Sequence, residues 1–330
     1  MLRTRCLGGV IRHMGTEAKE KARVNDRVAA AGVSGKALSG KPRHAWLRSD
    51  AARGLSLLSP TLFVVVAAMA VPLALMVAYS FWSQSYVTLD TSFTLKNYQD
   101  VFSREIYRIL FLRSVAISAL VTLITVLLAY PIAYFVAFDV KRHKLLWLIL
   151  LTLPFWTSYL LRVFSWKVIL GYNGVINSGL MSLGVIAEPL QFLLYNPFSV
   201  IVTLAHAWAA FAILPIYVSL EKIDRTLLEA ATDLGDGPVR RFFRVTLPLS
   251  MPGVIAASVL IFIPTVGDYV TPTLVGGTGG VMIANIIQAQ FGKANNWPLG
   301  SALAISTMLA VTAIACLSIW LSKRGVAAIK

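Results

Sequence analysis

Residues 221–248 read EKIDRTLLEAATDLGDGPVRRFFRVTLP, and the interpretation of the whole chain starts from this stretch. Asp224 is a plausible N-cap for a helix that runs to Leu234, because a side-chain oxygen there can accept from a free backbone N–H. Apolar residues recur inside it at helical spacing: Leu227, Leu228, Ala231 and Leu234. The stretch therefore predicts a short helix with one apolar face.

A turn and a second short helix are predicted to follow. Glycine tolerates positive φ and proline cannot continue a helix, so Gly235, Gly237 and Pro238 indicate the turn. The second helix carries two phenylalanines among three arginines and is predicted to end at the pair Leu247-Pro248. Such a helix–turn–helix on a membrane surface suits docking into another protein's groove. An amphipathic pair at the interface without a partner is the alternative.

The composition indicates that lipid surrounds most of the chain. Of the 330 residues, 57% are hydrophobic and 14% charged, and the mean hydropathy is +0.71. An ordinary soluble domain carries about 25% charged residues. The formal net charge is +15, but Lys and Arg lie at the ends of apolar runs and in the N-terminal segment. We therefore expect contact with a lipid bilayer and no binding of nucleic acid.

Six stretches are long enough to cross a bilayer as helices, which takes roughly 20 mostly apolar residues. They are about Leu55–Phe81, Arg113–Phe138, Leu145–Ile169, Phe198–Leu220, Val254–Val275 and Leu299–Leu321. Prolines lie inside several of them: Pro72, Pro131, Pro154, Pro215 and Pro264. Neighbouring helices can satisfy the backbone groups that a proline frees. We therefore expect an all-α integral membrane protein with six kinked, unbroken helices.

The distribution of positive charge predicts the orientation. With a cytoplasmic N-terminus, the inside segments hold 23 of the 30 Lys and Arg residues and the outside segments hold 4. The rule that positive loops stay inside then predicts that both termini and the loop 221–253 are cytoplasmic. Two longer connections, 82–112 and 170–197, are predicted outside.

The N-terminal segment 1–54 differs from the rest. It holds twelve Lys and Arg against four acids and no long apolar run. This composition predicts a disordered cytoplasmic tail, or one weakly attracted to anionic headgroups, and no signal peptide. The two cysteines, Cys6 and Cys316, cannot build a disulfide framework. Residues 55–330 are predicted to form one six-helix transmembrane domain.

The loop 221–253 also carries a spaced motif. Its residues are Glu229, Ala230, Ala231, Gly235, Val245, Leu247 and Pro248. This pattern resembles the EAA motif of the permease subunits of ATP-binding-cassette importers, with Val245 where that family usually has Ile. The resemblance implies a MetI-like fold from about residue 55 onwards. It also implies that the loop transmits closure of a partner ATPase to the spans.

Further segments resemble the spermidine/putrescine permeases in particular: 155–162, 171–177, 262–277 and 295–302. This resemblance implies import of a polyamine through the bacterial inner membrane. It also implies several partners: a second permease subunit in a heterodimer, two copies of a cytoplasmic ATPase, and a periplasmic substrate-binding protein. Relatives with these segments also import amino-acid-like compounds, opines and other amines, so those substrates stay open.

The sequence predicts no enzyme. It lacks G-x-x-x-x-G-K-[ST], so ATP and Mg are expected on the partner ATPase and no cofactor on this chain. The glycines of 276–280 have no following Lys-Ser/Thr and indicate a loop. The four histidines are scattered and predict no metal site.

Two charged residues lie inside predicted spans. Each is expected to have a functional or structural role, because placing a charged side chain at the bilayer centre costs roughly 2.5–3.5 kcal/mol. Asp268 follows Pro264 and Gly267, which should loosen the helix just before it. Its carboxylate could guide a cationic substrate, cap the local break, or pair with Arg162. Arg162 is interpreted as a structural or gating charge.

Aromatic residues near these charges are candidates for a substrate pathway, since ring faces attract cations. The candidates are Trp156, Tyr159, Trp166, Trp208 and Tyr269. Trp and Tyr also favour membrane interfaces for ordinary reasons. Two other classes of protein remain as alternatives, an ion-coupled secondary transporter and a membrane anchor or sensor. The first would need an ion site and usually internal repeats, and the sequence shows neither.

Overall fold

A computed structural model describes the backbone of residues 50–85 and 88–329. The described residues divide into two units between Ala67 and Ala68, inside the first long helix. The long helices are α1 (Asp50–Ser80), α3 (Glu105–Tyr134), α7 (Pro197–Glu221), α10 (Leu247–Val266) and α12 (Trp297–Ile329). The short elements are β1 (Ser83–Ser85), β2 (Thr88–Asp90), α2 (Lys96–Ser103), α4 (Lys144–Thr152), α5 (Tyr159–Leu170), α6 (Val175–Ser182), α8 (Arg225–Asp233), α9 (Pro238–Arg241) and α11 (Ile283–Phe291).

The predicted all-α membrane fold is confirmed. Within the described residues, five helices are long and apolar enough to cross a membrane, and one bent helix pair would make a sixth span. The fourth predicted span agrees with α7 to within one residue at each end. α3 and α10 begin well before their predicted starts, at Glu105 and Leu247. The extra turns belong to segments that the sequence assigned to loops.

The prediction of unbroken helices is wrong for the third span. Its first half, Lys144–Trp156, and the following helical pair, Tyr159–Ser182, meet at an angle of 81°. Pro154 lies in a 3₁₀ turn, Leu153–Trp156, and the backbone becomes extended at Thr157. Proline lacks an N–H and its ring crowds the preceding turn, which weakens the helix at this point.

The predicted helix end at Leu247-Pro248 is also wrong. Helical backbone continues from α9 through a π turn, Phe242–Thr246, directly into α10. In the π turn the Leu247 N–H donates to the Phe242 carbonyl, one residue further back than in an α-helix. The wider turn accommodates Pro248, whose missing N–H falls in the first turn of α10, where it costs little.

The core lies where α3, α7 and α10 pack together. Val121, Leu204 and Ile261, one from each helix, are fully buried in a single cluster. Small side chains allow close approach, as expected between helices in lipid. At Gly253 a Cβ would overlap the Pro215 carbonyl oxygen and the Ser219 side chain of α7. Contact between α7 and α10 therefore depends on a glycine at this position.

Gly253→Ala is expected to destabilise the folded protein by about 1–3 kcal/mol, because the new methyl group must push α7 and α10 apart. The measurement is the thermal unfolding temperature of the detergent-solubilised protein. Gly179→Ala is the matched control, since a Cβ at Gly179 meets nothing within 4 Å. Equal unfolding temperatures for the two variants would contradict the packing argument.

The segments predicted as outside loops are partly ordered elements. Residues 82–112 contain an antiparallel β1–β2 hairpin, α2 and the start of α3. The Asn97 amide holds this segment to the end of α1, donating to the Ser80 carbonyl at 3.0 Å and the Trp82 carbonyl at 2.7 Å. Residues 170–197 contain α6, where the buried amide of Asn177 donates to the Leu190 carbonyl.

The predicted tail 1–54 lies mostly outside the described residues, as does Cys6. Its last residues need a correction, because α1 begins at Asp50. Cys316 is free and exposed on α12.

Candidate functional site

A break after α10 forms the centre of the candidate site. The helix ends at Val266, Gly267 caps it, and helical backbone resumes at Val270 before a π turn, Pro272–Gly276. The predicted loosening around Pro264 and Gly267 is therefore confirmed, but the prediction of an unbroken helix over Val254–Val275 is wrong. Interrupted helices within a membrane domain leave backbone polar groups free to line a cavity or bind a ligand.

The Asp268 carboxylate lies in this break and is half-buried. One oxygen, Oδ1, accepts from the backbone N–H groups of Val270 (2.8 Å) and Thr271 (3.4 Å), so it caps the next helical segment. The other, Oδ2, accepts from the Tyr159 hydroxyl. The Tyr159 hydroxyl is also 2.6 Å from Thr271 Oγ1. Together, these contacts tie the break after α10 to the start of α5.

Arg162 does not pair with Asp268 in the structure, although the sequence allowed such a pair. Its guanidinium donates to three backbone carbonyls, those of Ala207 (3.1 Å), Thr157 (3.3 Å) and Phe155 (3.4 Å). It also lies 5.0 Å from the centre of the Phe155 ring. The break between the 3₁₀ turn and α5 frees the carbonyls of Phe155 and Thr157, which accept from Arg162 Nη2, while the buried Nε of Arg162 has no partner among the described residues. The contacts agree with the structural interpretation of Arg162.

Of the predicted aromatic residues, Tyr159 contacts the carboxylate and Trp208 lies next to Tyr159. The rings of Tyr159 and Trp208 are 6.4 Å apart, and Phe211 continues the row at 5.2 Å from Trp208. The buried indole N–H of Trp208 has no hydrogen-bond partner among the described residues. Such a donor could be met by a ligand or water, since buried polar groups are normally paired.

The other predicted aromatic residues lie elsewhere. Trp156 is 76% exposed, and Trp166 packs against His206 with ring centres 5.5 Å apart. Tyr269 lines a separate cleft of ≈ 560 Å³ between the break, α11 and the start of α12. The structure therefore brings together Asp268, Tyr159 and Trp208 from the predicted set.

Three residues of the site were missed from the sequence. Thr271 is fully buried against the Tyr159 hydroxyl, and Phe211 extends the aromatic row. Asn285 of α11 donates to the Tyr269 carbonyl at 2.9 Å and to Thr273 Oγ1 at 2.8 Å, which holds the segment after the break. The spacing Asp-x-x-Thr at 268–271 was the available signal for Thr271. A sequence cannot show that α11 folds back onto the break.

The loop 221–253 forms the predicted capped helix and turn. The Asp224 carboxylate accepts from the Thr226 N–H at 3.0 Å and begins α8. Hydrogen bonds from Thr226 hold the pKa of Asp224 below its usual value. Because the folded pKa is lowered, this cap supports the loop above the ordinary Asp range and is lost as pH falls through the lowered value.

Gly235 ends α8 in the left-handed conformation, at φ +88°. The Asp236 N–H donates to the Ala231 carbonyl at 3.0 Å and the Gly235 N–H to the Thr232 carbonyl at 2.9 Å, which is the Schellman pattern. The buried Asp236 carboxylate pairs with Arg240 (3.2 Å) and Arg244 (3.6 Å). This turn is therefore fixed by its backbone and by two ion pairs.

The EAA residues fall on different parts of the loop. Ala231 is buried, while Glu229 and Ala230 are exposed on α8. Glu229 borders a recess of ≈ 470 Å³ between α8 and the end of α3. Leu247 and Pro248 lie in the first turn of α10, which begins within the segment that the sequence assigned to the loop. The segment 234–243 also presents large apolar side chains to the outside: Leu234 before α9 (88% exposed), Val239 in α9 (70%) and Phe243 in the π turn after it (62%).

Comparison with known proteins identifies the family. Residues 52–324 match the family model described as binding-protein-dependent transport system inner membrane component. The chain belongs to this family. The permease is therefore a multi-pass inner-membrane transport component, and the family that it matches is not an enzyme family. In its described part, no three His, Cys, Asp or Glu side chains are grouped to hold a metal ion.

The permease is similar to several curated relatives. It is 37% identical over 227 residues to the spermidine/putrescine transport system permease protein PotB of Haemophilus influenzae, covering 67% of this chain and 79% of the relative. Identity to PotB of Escherichia coli is 36% over 246 residues, covering 73% and 88%. The inner membrane ABC transporter permease protein YdcU of Escherichia coli is 32% identical over 238 residues, covering 68% and 75%.

Solved structures agree on the fold. A chain of a bacterial ABC transporter that imports the acidic polysaccharide alginate superposes with a TM-score of 0.60 at 17% identity, covering 82% of this chain and 94% of that one. The alginate transporter in complex with an alginate-bound periplasmic protein gives a TM-score of 0.65, also at 17% identity, with 86% and 98% covered.

Proposed function

We propose that the permease is one of two membrane subunits of an ATP-driven importer that carries a polyamine such as spermidine or putrescine into the cytoplasm. The observation that carries this proposal is the continuous similarity to PotB, at 36% identity over 88% of that protein's length. The candidate site supports it independently, since it offers a carboxylate and aromatic rings to a cation.

The partners follow from the same proposal. The chain has no phosphate-binding loop for ATP, so hydrolysis, with ATP and Mg, belongs to two ATPase subunits. The exposed apolar side chains of segment 234–243 support docking of an ATPase at this loop. A second permease subunit completes the pathway, and a periplasmic protein delivers the substrate. The positive-charge distribution supports cytoplasmic termini and a cytoplasmic loop 221–253.

The candidate site suggests how a cation would be handled. The Asp268 carboxylate would attract an ammonium group, and the faces of Tyr159 and Trp208 would add cation–π attraction of about 0.5–2 kcal/mol each. Arg162, held by three carbonyls, maintains the bend of the third span beside this site. Alternating access then requires the ATPases to favour different arrangements of the spans in their two nucleotide states.

Substrate-stimulated ATP hydrolysis tests the proposal. The complex of both permeases, the ATPase and the binding protein, reconstituted in liposomes, is expected to hydrolyse ATP several times faster with spermidine or putrescine. Amino acids and opines are the comparison panel. Stimulation only by a compound of that panel would support an ATP-driven importer but contradict the assignment of a polyamine as its substrate. Uptake driven by an ion gradient without the ATPase would overturn the importer itself.

A further inference from the structure

Lys144, the first residue of α4, joins three helical segments at the end of the bundle that carries loop 221–253. Its Nζ lies 2.8 Å and 3.0 Å from the two carboxylate oxygens of Glu221, the last residue of α7. The same ammonium donates to the Ala137 carbonyl at 2.8 Å. Ala137 belongs to the π turn, Phe135–Asp139, that ends α3.

The end of α3 needs these donors. The last carbonyls of a helix have no partner within the helix. The Ala137 residue is 2% exposed, so its carbonyl has little access to water and requires a donor from the protein. Lys144 supplies that donor, and its charge is balanced by Glu221.

The next carbonyl of the same π turn contacts α8, the helix of loop 221–253 that we propose as the coupling helix to the ATPase. The Phe138 carbonyl accepts from the guanidinium of Arg225, the first residue of α8, at 3.4 Å. Glu221 lies just before α8, separated from it by the turn through Asp224. The end of α3 therefore contacts α8 through Arg225 and α4 through Lys144. α7 enters the same junction through Glu221.

α4 leads directly to the candidate site. It is followed by the 3₁₀ turn and the 81° bend, and then by α5 with Tyr159 and Arg162. A displacement of α8 that moved the end of α3 would therefore also move the start of the broken third span. Asp224 and Gly235 fix the shape of α8, but neither contacts α4.

We propose that Lys144 and Glu221 are a positioning pair that transmits movement of the coupling helix α8 to the broken third span, and through it to the Asp268–Tyr159 site. This inference rests on the proposed import function. It assigns a transmission role to two residues outside the EAA motif and outside the substrate site.

The exposure of the pair makes this role separable from folding. The side chains of Lys144 and Glu221 are 24% and 42% exposed, so water can solvate whichever partner remains after a substitution. Exposed and half-exposed ion pairs contribute little to stability. Lys144→Met also removes the donor of the buried Ala137 carbonyl and should lower stability, whereas Glu221→Gln keeps that donor. Glu221→Gln should therefore leave an assembled complex that lacks only the ion pair between α4 and α7.

The test compares substrate molecules imported per ATP hydrolysed in the reconstituted complex. Lys144→Met and Glu221→Gln are each expected to lower this ratio about fivefold, a typical size for a change in coupling. The KM for substrate and ATPase co-purification should stay unchanged. Lys141→Met is the matched control, because Lys141 is an exposed lysine of the same connection. It should behave as the wild type.

The charge swap decides whether the two residues act as a pair. Lys144→Glu combined with Glu221→Lys should recover most of the ratio that either change alone removes, since opposite charges again face each other between α4 and α7. The inference would be overturned if the single variants import as much substrate per ATP as the wild type, or if the double variant loses the sum of the two single losses. Loss of assembly would also overturn it. A wild-type complex that polyamines do not stimulate would instead contradict the proposed function.

Discussion

Asp268→Asn is expected to reduce polyamine uptake and polyamine-stimulated ATP hydrolysis at least about tenfold, because a hydrogen bond to a charged group contributes roughly 1.5–3 kcal/mol. Asparagine keeps one oxygen, Oδ1, that can accept from the Val270 and Thr271 N–H groups, while its amide nitrogen stands in place of Oδ2 and donates to the Tyr159 hydroxyl oxygen. The cap of the second helical segment should therefore persist while the charge is lost. Reconstituted uptake and ATPase assays measure the effect.

Two variants control this result. Glu188→Gln removes a carboxylate from an exposed position in the 170–197 connection, and its uptake should equal that of the wild type. Tyr159→Phe keeps the ring beside Trp208 but removes the hydroxyl that contacts Asp268, so its loss should be smaller. Normal uptake in Asp268→Asn would leave the carboxylate with its capping role alone.

Gly235→Pro is expected to uncouple ATP hydrolysis from uptake, with uptake reduced at least about tenfold while the protein still inserts. Proline fixes φ near −65°, whereas Gly235 has φ +88° and its N–H donates to the Thr232 carbonyl. The Schellman turn cannot form with proline, so α8 would leave its present position. Uptake, ATPase rate and ATPase co-purification are measured together.

Gly237→Ala is the matched control for the turn. Gly237 has φ −66°, and a Cβ there meets nothing within 4 Å. Its uptake should therefore be normal. Glu229→Lys should resemble Gly235→Pro, because it reverses the charge of an exposed side chain on α8. If Gly235→Pro and Glu229→Lys both transport normally, loop 221–253 does not carry the coupling.

Local rules were enough to predict several features correctly. The apolar length of α7, the Asp224 cap and the turn at Gly235 each depend on neighbouring residues alone, and all three are present. The loosened backbone after Pro264 was likewise predicted from neighbouring residues. Their physical causes, burial of apolar length, capping and positive φ, act over a few residues and are visible in sequence.

Prolines show where local rules reach their limit. Pro131 and Pro215 lie inside continuous helices, whereas Pro154 lies where the third span breaks by 81°. The same residue type gives both outcomes because the surrounding helices decide whether the freed carbonyls find other donors. At the break, those donors come from Arg162, whose third carbonyl, that of Ala207, lies on a different helix.

The sequence by itself determined that this is a membrane protein, where most of the spans lie, and the capped helix and turn of loop 221–253. Apolar length, charge and capping are properties of contiguous residues. Only the tertiary structure decided the partners of Asp268 and Arg162, and it brought Lys144 to Glu221 across 77 positions of the chain. Hydrogen bonds between distant segments depend on how the helices pack. Packing in turn depends on complementary shape at positions such as Gly253, which no periodicity in the sequence reports.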